Sequence, residues 1–355
     1  MQTNVTFPSS RLMLTLFVCG LLPVLLSGHN FLQSDSLFAN ITAALFGVFF
    51  LLLCFVPIYF IKHRTRLDFS AFAKQGSKIG FFFVSAYYAI YFAVISVSFL
   101  IRYGDMFKAE INPDANTGSM VFIILCVCVY GASKGINPLS RVSIFALAVL
   151  ITAFAVIISG SIKSFDFETN RNYISTDFSG IKTDIADCLV FSFLPVIFAF
   201  TSTSTKKLRV RNAVIVSAAI YFAVLSTMFF TAFVNGAYAE NRQFSIPLLS
   251  KTAAFGDMKG FDSFYLCAVT VCVFVLITAL LISFSNCFDG TVQRKTLWFV
   301  SGFALIIFIL FICAEQYNTV KELLTNSVFL TLLNFAAALV IPGLYLFIYR
   351  RKLYA

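Results

Sequence analysis

The chain has 355 residues, of which 59% are apolar and only 12% charged, and its mean hydropathy is +0.90. A soluble domain carries charge on about a quarter of its residues, so a soluble core with a polar shell is excluded, as is a long disordered tail. The net charge of +10 is therefore a question of which membrane face the basic residues occupy, and no nucleic-acid partner is expected.

A helix needs about 20 mostly apolar residues to cross the hydrocarbon. Ten such stretches follow one another, at 12–28, 38–61, 79–101, 118–133, 142–162, 184–205, 212–238, 263–287, 296–314 and 328–349. No charged residue falls in the middle of any of them, in keeping with the roughly 2.5–3.5 kcal/mol that a central Lys, Arg or Asp costs on the insertion scale. The first stretch admits a second reading, a cleaved signal peptide from Arg11 to Ser27 with small residues near Gly28. Its long apolar core and the Gly20/Pro23 pair favour a retained span. The nine cysteines lie in or beside apolar stretches, are odd in number and include no CxxC. They read as small buried hydrophobes, with neither a disulfide framework nor a zinc site expected.

Alternating the crossings from a cytoplasmic N-terminus sorts the charges. The inner side collects 17 basic residues, among them Lys206, Lys207, Arg294, Lys295 and the tail Arg350, Arg351 and Lys352, with only Asp68 and Asp289 as acids. The outer side keeps 9 basic residues and 14 acids. The excess of Lys and Arg inside satisfies the positive-inside rule and places both termini in the cytoplasm.

Ten spans divide into halves of about 12–162 and 184–349 within one transmembrane domain over 1–355, and five spans per half force the second half to lie inverted. The expected fold is all-α and membrane-integral, an inverted repeat with broken helices at spans 1 and 6. Gly20 and Pro23 mark the break in span 1, and Ser192 and Pro195 that in span 6. Proline lacks an N–H and clashes one turn back, while glycine tolerates unusual angles, so freed carbonyls and N–H groups could face a ligand at mid-membrane. A plain proline kink is the alternative. The long connections near 62–78 and 239–262 also match, each carrying a short apolar piece, 67–72 and 246–255.

From Tyr130 the chain reads Tyr-Gly-Ala-Ser-Lys-Gly-Ile-Asn-Pro-Leu-Ser-Arg, ending at Arg141. This resembles the tyrosine, glycine-isoleucine and arginine pattern of the endospore germination permeases, the integral-membrane B subunits of nutrient germinant receptors. Ile246-Pro247, Phe261-Asp262 and the Ile341-Pro342 end are similar to that family too. The chain departs from it at Asn137, where the family has Glu, and at Lys259-Gly260, where it has Glu-Arg. The resemblance implies a LeuT-type fold of the amino acid/polyamine/organocation superfamily. It also implies a nutrient sensor of the spore inner membrane, with a soluble-domain membrane protein and a lipoprotein as partner subunits.

In such a fold a nutrient, an amino acid most readily, sits between spans 1, 3, 6 and 8. Gly20, Pro23, Ser192 and Pro195 are then the backbone candidates. Span 3 offers Tyr87, Tyr91, Ser98 and Arg102 on one helical face, with Tyr88 beside them; packing between helices with satisfied hydroxyls is the competing reading. Span 8 adds Thr270, Thr278 and Ser283, which can equally bond back to their own helix. Asp184 and Asp187 either cap span 6 or, for Asp187, hold a ligand ammonium or a proton. The run from Thr201 to Thr205 reads as an anion site or a solvated helix end. HExxH, GxSxG and Walker motifs are missing, and His29 and His63 fall at opposite faces. No catalysis and no cofactor are expected, and a cation-coupled amino acid permease is the functional alternative.

Overall fold

In hydrocarbon each backbone N–H and C=O must be bonded within the protein, which leaves helices as the answer to a chain of long apolar runs. The computed structural model describes residues 9–26, 37–65, 69–110, 112–165, 181–201, 210–235, 244–255, 258–288 and 296–349. Arg66, Asp68, Gly28, His29, the run after Thr201 with Lys206 and Lys207, Asp289, Arg294, Lys295 and the tail from Arg350 lie outside these.

The first half comprises α1 (Ser9–Leu25), α2 (Leu37–Thr65), a short α3 (Phe69–Gly76), α4 (Lys78–Glu110), α5 (Thr117–Lys134) and α6 (Ile136–Ser161). The second half opens with α7 (Ile181–Leu189), a 3-10 turn at Val190–Ser192 and α8 (Phe193–Thr201). There follow α9 (Val210–Asn235), α10 (Ser245–Thr252), and a two-residue hairpin of β1 (Ala254–Phe255) and β2 (Met258–Lys259). The chain continues with α11 (Asp262–Cys287), α12 (Thr296–Gln316), α13 (Asn318–Thr325), α14 (Ser327–Phe335), a π turn at Ala336–Val340 and α15 (Ile341–Ile348).

Among the described residues, nine segments are long and apolar enough to cross a membrane. The tenth expected span, α1, has 17 residues and so reaches only about 25 Å at about 1.5 Å per residue, short of a hydrocarbon core of about 30 Å. It is nevertheless central: Leu12, Leu16, Cys19 and Leu22 are fully buried, and α1 packs on α6, α8, α9 and α11. A segment so enclosed belongs to the centre of the fold. Burial sorts the rest. The segments with most of their length inside the protein are α4, α7–α8 and α11, whereas α5, α6, α12 and α14–α15 turn much of theirs outward, with Phe347, Trp298 and Ile123 exposed as lipid-facing side chains are.

The expected break in span 1 is corrected. Helix α1 runs unbroken through Gly20 and Pro23, and the Leu26 N–H still reaches the Leu22 carbonyl at 2.9 Å. Gly20 serves close packing instead, since a methyl group there would lie 2.5 Å from Ile220 Cδ1 of α9 and 3.0 Å from Leu194 Cδ1 of α8. The connection between spans 4 and 5 is also tighter than the sequence reading has it. A single residue, Gly135 at φ +85, separates α5 from α6, a left-handed position that glycine adopts without strain. Asn137 and Pro138 therefore stand in the first turn of α6, where the missing proline N–H has no intrahelical acceptor to lose.

Gly47 of α2 makes room for the ring of Tyr221 from α9, to which an added methyl would approach within 2.5 Å. A ring held on both sides cannot swing away, so Gly47→Ala is expected to destabilise by about 1–3 kcal/mol through overpacking. A lowered thermal midpoint in detergent, by intrinsic fluorescence or light scattering, reads this out, and an unchanged midpoint would contradict the packing described.

Candidate functional site

Among the described residues, the interruption between α7 and α8 is the one place where a deeply buried segment changes its hydrogen-bond pattern at the middle of its length. Pro195 stands third in α8, where the first-turn N–H groups lack helical acceptors, so the chain can tighten through Val190–Ser192 and restart. Side chains then supply donors to the carbonyls around the switch. Thr331 Oγ1 donates to Ala186 O at 3.1 Å, Tyr221 Oη to Cys188 O at 2.6 Å, Ser192 Oγ to Leu189 O at 2.6 Å and Asn334 Nδ2 to Val190 O at 2.9 Å. Ser192 thus acts on its own turn, as serine does where it competes with backbone donors.

Asn334 has no solvent exposure and works on both ends of its amide, because Tyr91 Oη donates to its Oδ1 at 2.7 Å. Neighbouring tyrosines hold the same helix. Tyr88 donates to Ala337 O at 2.6 Å and Tyr87 to Leu333 O at 3.4 Å. The Ala337 carbonyl is open to this for a covalent reason. The Ile341 N–H reaches back to Ala336 O, and Pro342, next in line, has no N–H to give. The π turn at Ala336–Val340 is the local form this takes, and such turns concentrate at functional positions.

The three tyrosines predicted to line a site are therefore hydrogen-bonded partners of α14 and the π turn. Ser283 bonds back to Ala279 O at 2.8 Å, and Thr270 to Leu266 O at 2.8 Å with Tyr103 at 2.7 Å. Thr278 turns its methyl group to Gly131 of α5, so the expected set divides. Tyr91 and the Ser192 turn are joined through Asn334, Gly20 and Leu194 meet at the α1–α8–α9 contact, and Thr278 faces α5. Ser98 is fully buried and its hydroxyl has no hydrogen-bond partner. Asn334 was missed from sequence, although a lone amide inside an apolar span is the kind of signal that marks such a residue.

Aromatic rings close one end of this region. Phe200 of α8 lies 4.7 Å from Tyr88, 5.5 Å from Phe92 and 5.8 Å from Phe69 of α3, measured between ring centroids. Charges close the other. Asp187 is buried, at 8% exposure, and it and Asp105 act electrostatically on the guanidinium of Arg102; Arg102 also donates to Thr325 O at 2.7 Å. Further along α4, Lys108 pairs with Glu315 at 2.8 Å, Lys321 of α13 bridges Asp105 at 2.5 Å and Glu315 at 3.3 Å, and Lys251 of α10 pairs with Glu110 at 2.6 Å. A cleft at this end is lined by Met106, Glu110, Pro247, Lys251, Asp262 and Tyr265. The Tyr265 hydroxyl donates to the Leu25 carbonyl and ties the end of α1 to α11.

With the interrupted helix, the tyrosine bracket and the ionic end in place, comparison with known families is decisive. The family model of the spore permeases, described as spore germination protein, matches residues 10–320. The chain belongs to this spore germination family. No curated protein matches it. Membership and the apolar spans together make it a multi-pass membrane protein of the spore, in accord with the resemblance carried by Tyr130, Gly135 and Arg141.

Two measurements check this geometry. Asn334→Leu leaves the Val190 carbonyl and the Tyr91 hydroxyl buried without partners, at about 1–3 kcal/mol each, so a large drop in thermal midpoint is expected. Tyr91→Phe should cost less, and the double variant less than the sum of the two; additive losses would separate the residues. For Lys321, burial pulls the ammonium pKa down, but the hydrogen bond and charge of Asp105 and the charge of Glu315 outweigh it and raise it. A raised lysine pKa stabilises fully below the unfolded value of about 10.4 and is lost as pH rises through the folded value. Lys321→Gln should therefore melt below the parent protein at pH 7–9, with the gap closing at more alkaline pH (above about 10.4); a gap constant across that range would exclude the ion pair as its source.

Proposed function

We propose that this chain is a transmembrane receptor subunit that senses a small nutrient, an amino acid, in a LeuT-type fold. In this reading α1 is a short tenth crossing, the halves 12–162 and 184–349 form an inverted repeat, and both termini are cytoplasmic. Three observations support the arrangement. The segments standing where spans 1, 3, 6 and 8 are expected, namely α1, α4, α7–α8 and α11, are the enclosed ones. The span-6 segment is interrupted where Ser192 and Pro195 stand. Lys and Arg collect on alternate connections as the positive-inside rule requires.

The observation that carries the reading is the set of carbonyls at the α7–α8 switch that accept side-chain donors, from Thr331 at Ala186, Tyr221 at Cys188 and Asn334 at Val190. Side-chain donors can be exchanged for ligand donors at similar geometry. A ligand ammonium that takes the Val190 carbonyl displaces the Asn334 amide, and because Asn334 also accepts from Tyr91, one tie of the last helix to α4 is loosened along with its tie to the Val190 turn. That is a two-state element biased by ligand contacts, and partner subunits, a soluble-domain membrane protein and a lipoprotein, would read it. A cation-coupled permease would use the same fold but needs a coupling site, and no carboxylate lies in the central third of any span.

Protein in lipid nanodiscs, titrated with a panel of amino acids, should bind at least one of them. Ser192→Leu, which fills the switch, should abolish binding while membrane insertion persists. Absence of binding to every amino acid would overturn the sensor reading, and counterflow of labelled amino acid in proteoliposomes would replace it with the permease.

A further inference from the structure

Helix α13 is eight residues long and lies between two spans, with Tyr317 alone separating it from α12 and Asn326 alone from α14. With one residue of slack at each end it cannot leave the membrane boundary. Its residues, 100° apart around the axis, fall into three arcs. Lys321, Leu324 and Thr325 face the protein: Lys321 bridges Asp105 and Glu315, Leu324 packs on the core and the Thr325 carbonyl accepts from Arg102. Asn318, Thr319 and Glu322 are polar and exposed. Val320 and Leu323 form a third arc, apolar and exposed at 40% and 53%.

We propose that α13 lies along the bilayer interface, with the Val320–Leu323 arc inserted among the upper acyl chains and the Glu322 arc in water. A helix with separate protein, polar and apolar faces, pinned at the boundary, is what an interfacial helix requires. The spans on either side also expose apolar side chains, Leu310 and Ile309 of α12 and Val328 and Leu332 of α14. Tyr317, 62% exposed at the turn into α13, is the residue type that concentrates at headgroup depth. The bilayer is thus the occupant of this face, and because the opposite face clamps Arg102 and Asp105, the depth of α13 in the interface is mechanically tied to the charged end of α4. The proposal does not depend on the ligand reading above.

The test uses the full chain in phosphatidylcholine nanodiscs with the single native tryptophan replaced, Trp298→Phe, and one tryptophan introduced by Leu323→Trp or Glu322→Trp. Lipids brominated near the top of the acyl chains should quench most of the emission from position 323 and little from 322, and acrylamide should do the reverse. Val320→Trp, on the same arc, gives the same readout if Leu323→Trp does not fold. Acrylamide quenching of 323 as strong as that of 322, with no effect of bromolipid, would overturn the proposal and leave this arc as a surface awaiting a protein partner. Equal bromolipid quenching at both positions would overturn it too, since the helix would then lie wholly within the hydrocarbon.

Discussion

The constraint on which this structure turns is the cost of an unbonded backbone carbonyl away from water. Within a regular helix that cost never arises, but at the switch from α7 to the turn at Val190–Ser192 and at the π turn before Pro342 the ladder is broken twice. The two breaks face each other across the core. Asn334, two residues before the π turn, donates to Val190 in the other break, and Tyr91 completes the bridge from α4. Each irregularity therefore supplies part of what the other lacks, and neither α7–α8 nor α14–α15 can shift alone without stranding buried polar groups.

Helix α4 is the fixed member against which both breaks are braced. Its inner half holds the last helix through Tyr87, Tyr88 and Tyr91, and its charged end holds α12, α13, α10 and the Asp187 turn through Asp105, Lys108, Glu110 and Arg102. The two attachments differ in kind. The hydroxyls of Tyr88 and Tyr91 are buried and little screened by salt, whereas Lys108 and Lys251 are more than a third exposed at their side chains and contribute little each, as surface pairs do. The charged end is consequently the softer of the two attachments.

The long spans were plain from the sequence because apolar length is a physical requirement of crossing a bilayer and needs no tertiary information. The interruption beside Ser192 was also readable, since proline has a local, covalent effect. The same logic misled at Gly20 and Pro23, where the glycine answers a packing demand from Ile220 and Leu194 that only the folded neighbours reveal. Helix α4 ran past its apolar stretch to Glu110 because its last charges pair with α10, α12 and α13, which are distant in sequence. Helix α13 escaped notice for the opposite reason: eight amphipathic residues carry too little apolar length to register as a span and fold because their neighbours fix both ends. The tyrosines were found as a group, but whether a buried hydroxyl faces a ligand or a carbonyl depends on a partner more than 240 residues away.

That last point bears on what kind of ligand this core can admit. A site whose polar groups are already paired to one another offers no net gain to a ligand that merely adds apolar surface, because the protein's own bonds must first be given up. It rewards a ligand that can replace, one for one, the donors it displaces, and on the proposed reading a primary ammonium with three N–H groups would do so at the Val190 carbonyl without a formal counter-charge. The carboxylate of the same molecule needs donors in turn, and the N–H groups opening α8, together with the unpartnered Ser98 hydroxyl, are the kind of uncharged donors that the apolar core supplies. On the proposed reading, recognition by dipoles in place of ions suits a chain with no charge at mid-span, and the Val190 carbonyl is held by Asn334 until a ligand takes it.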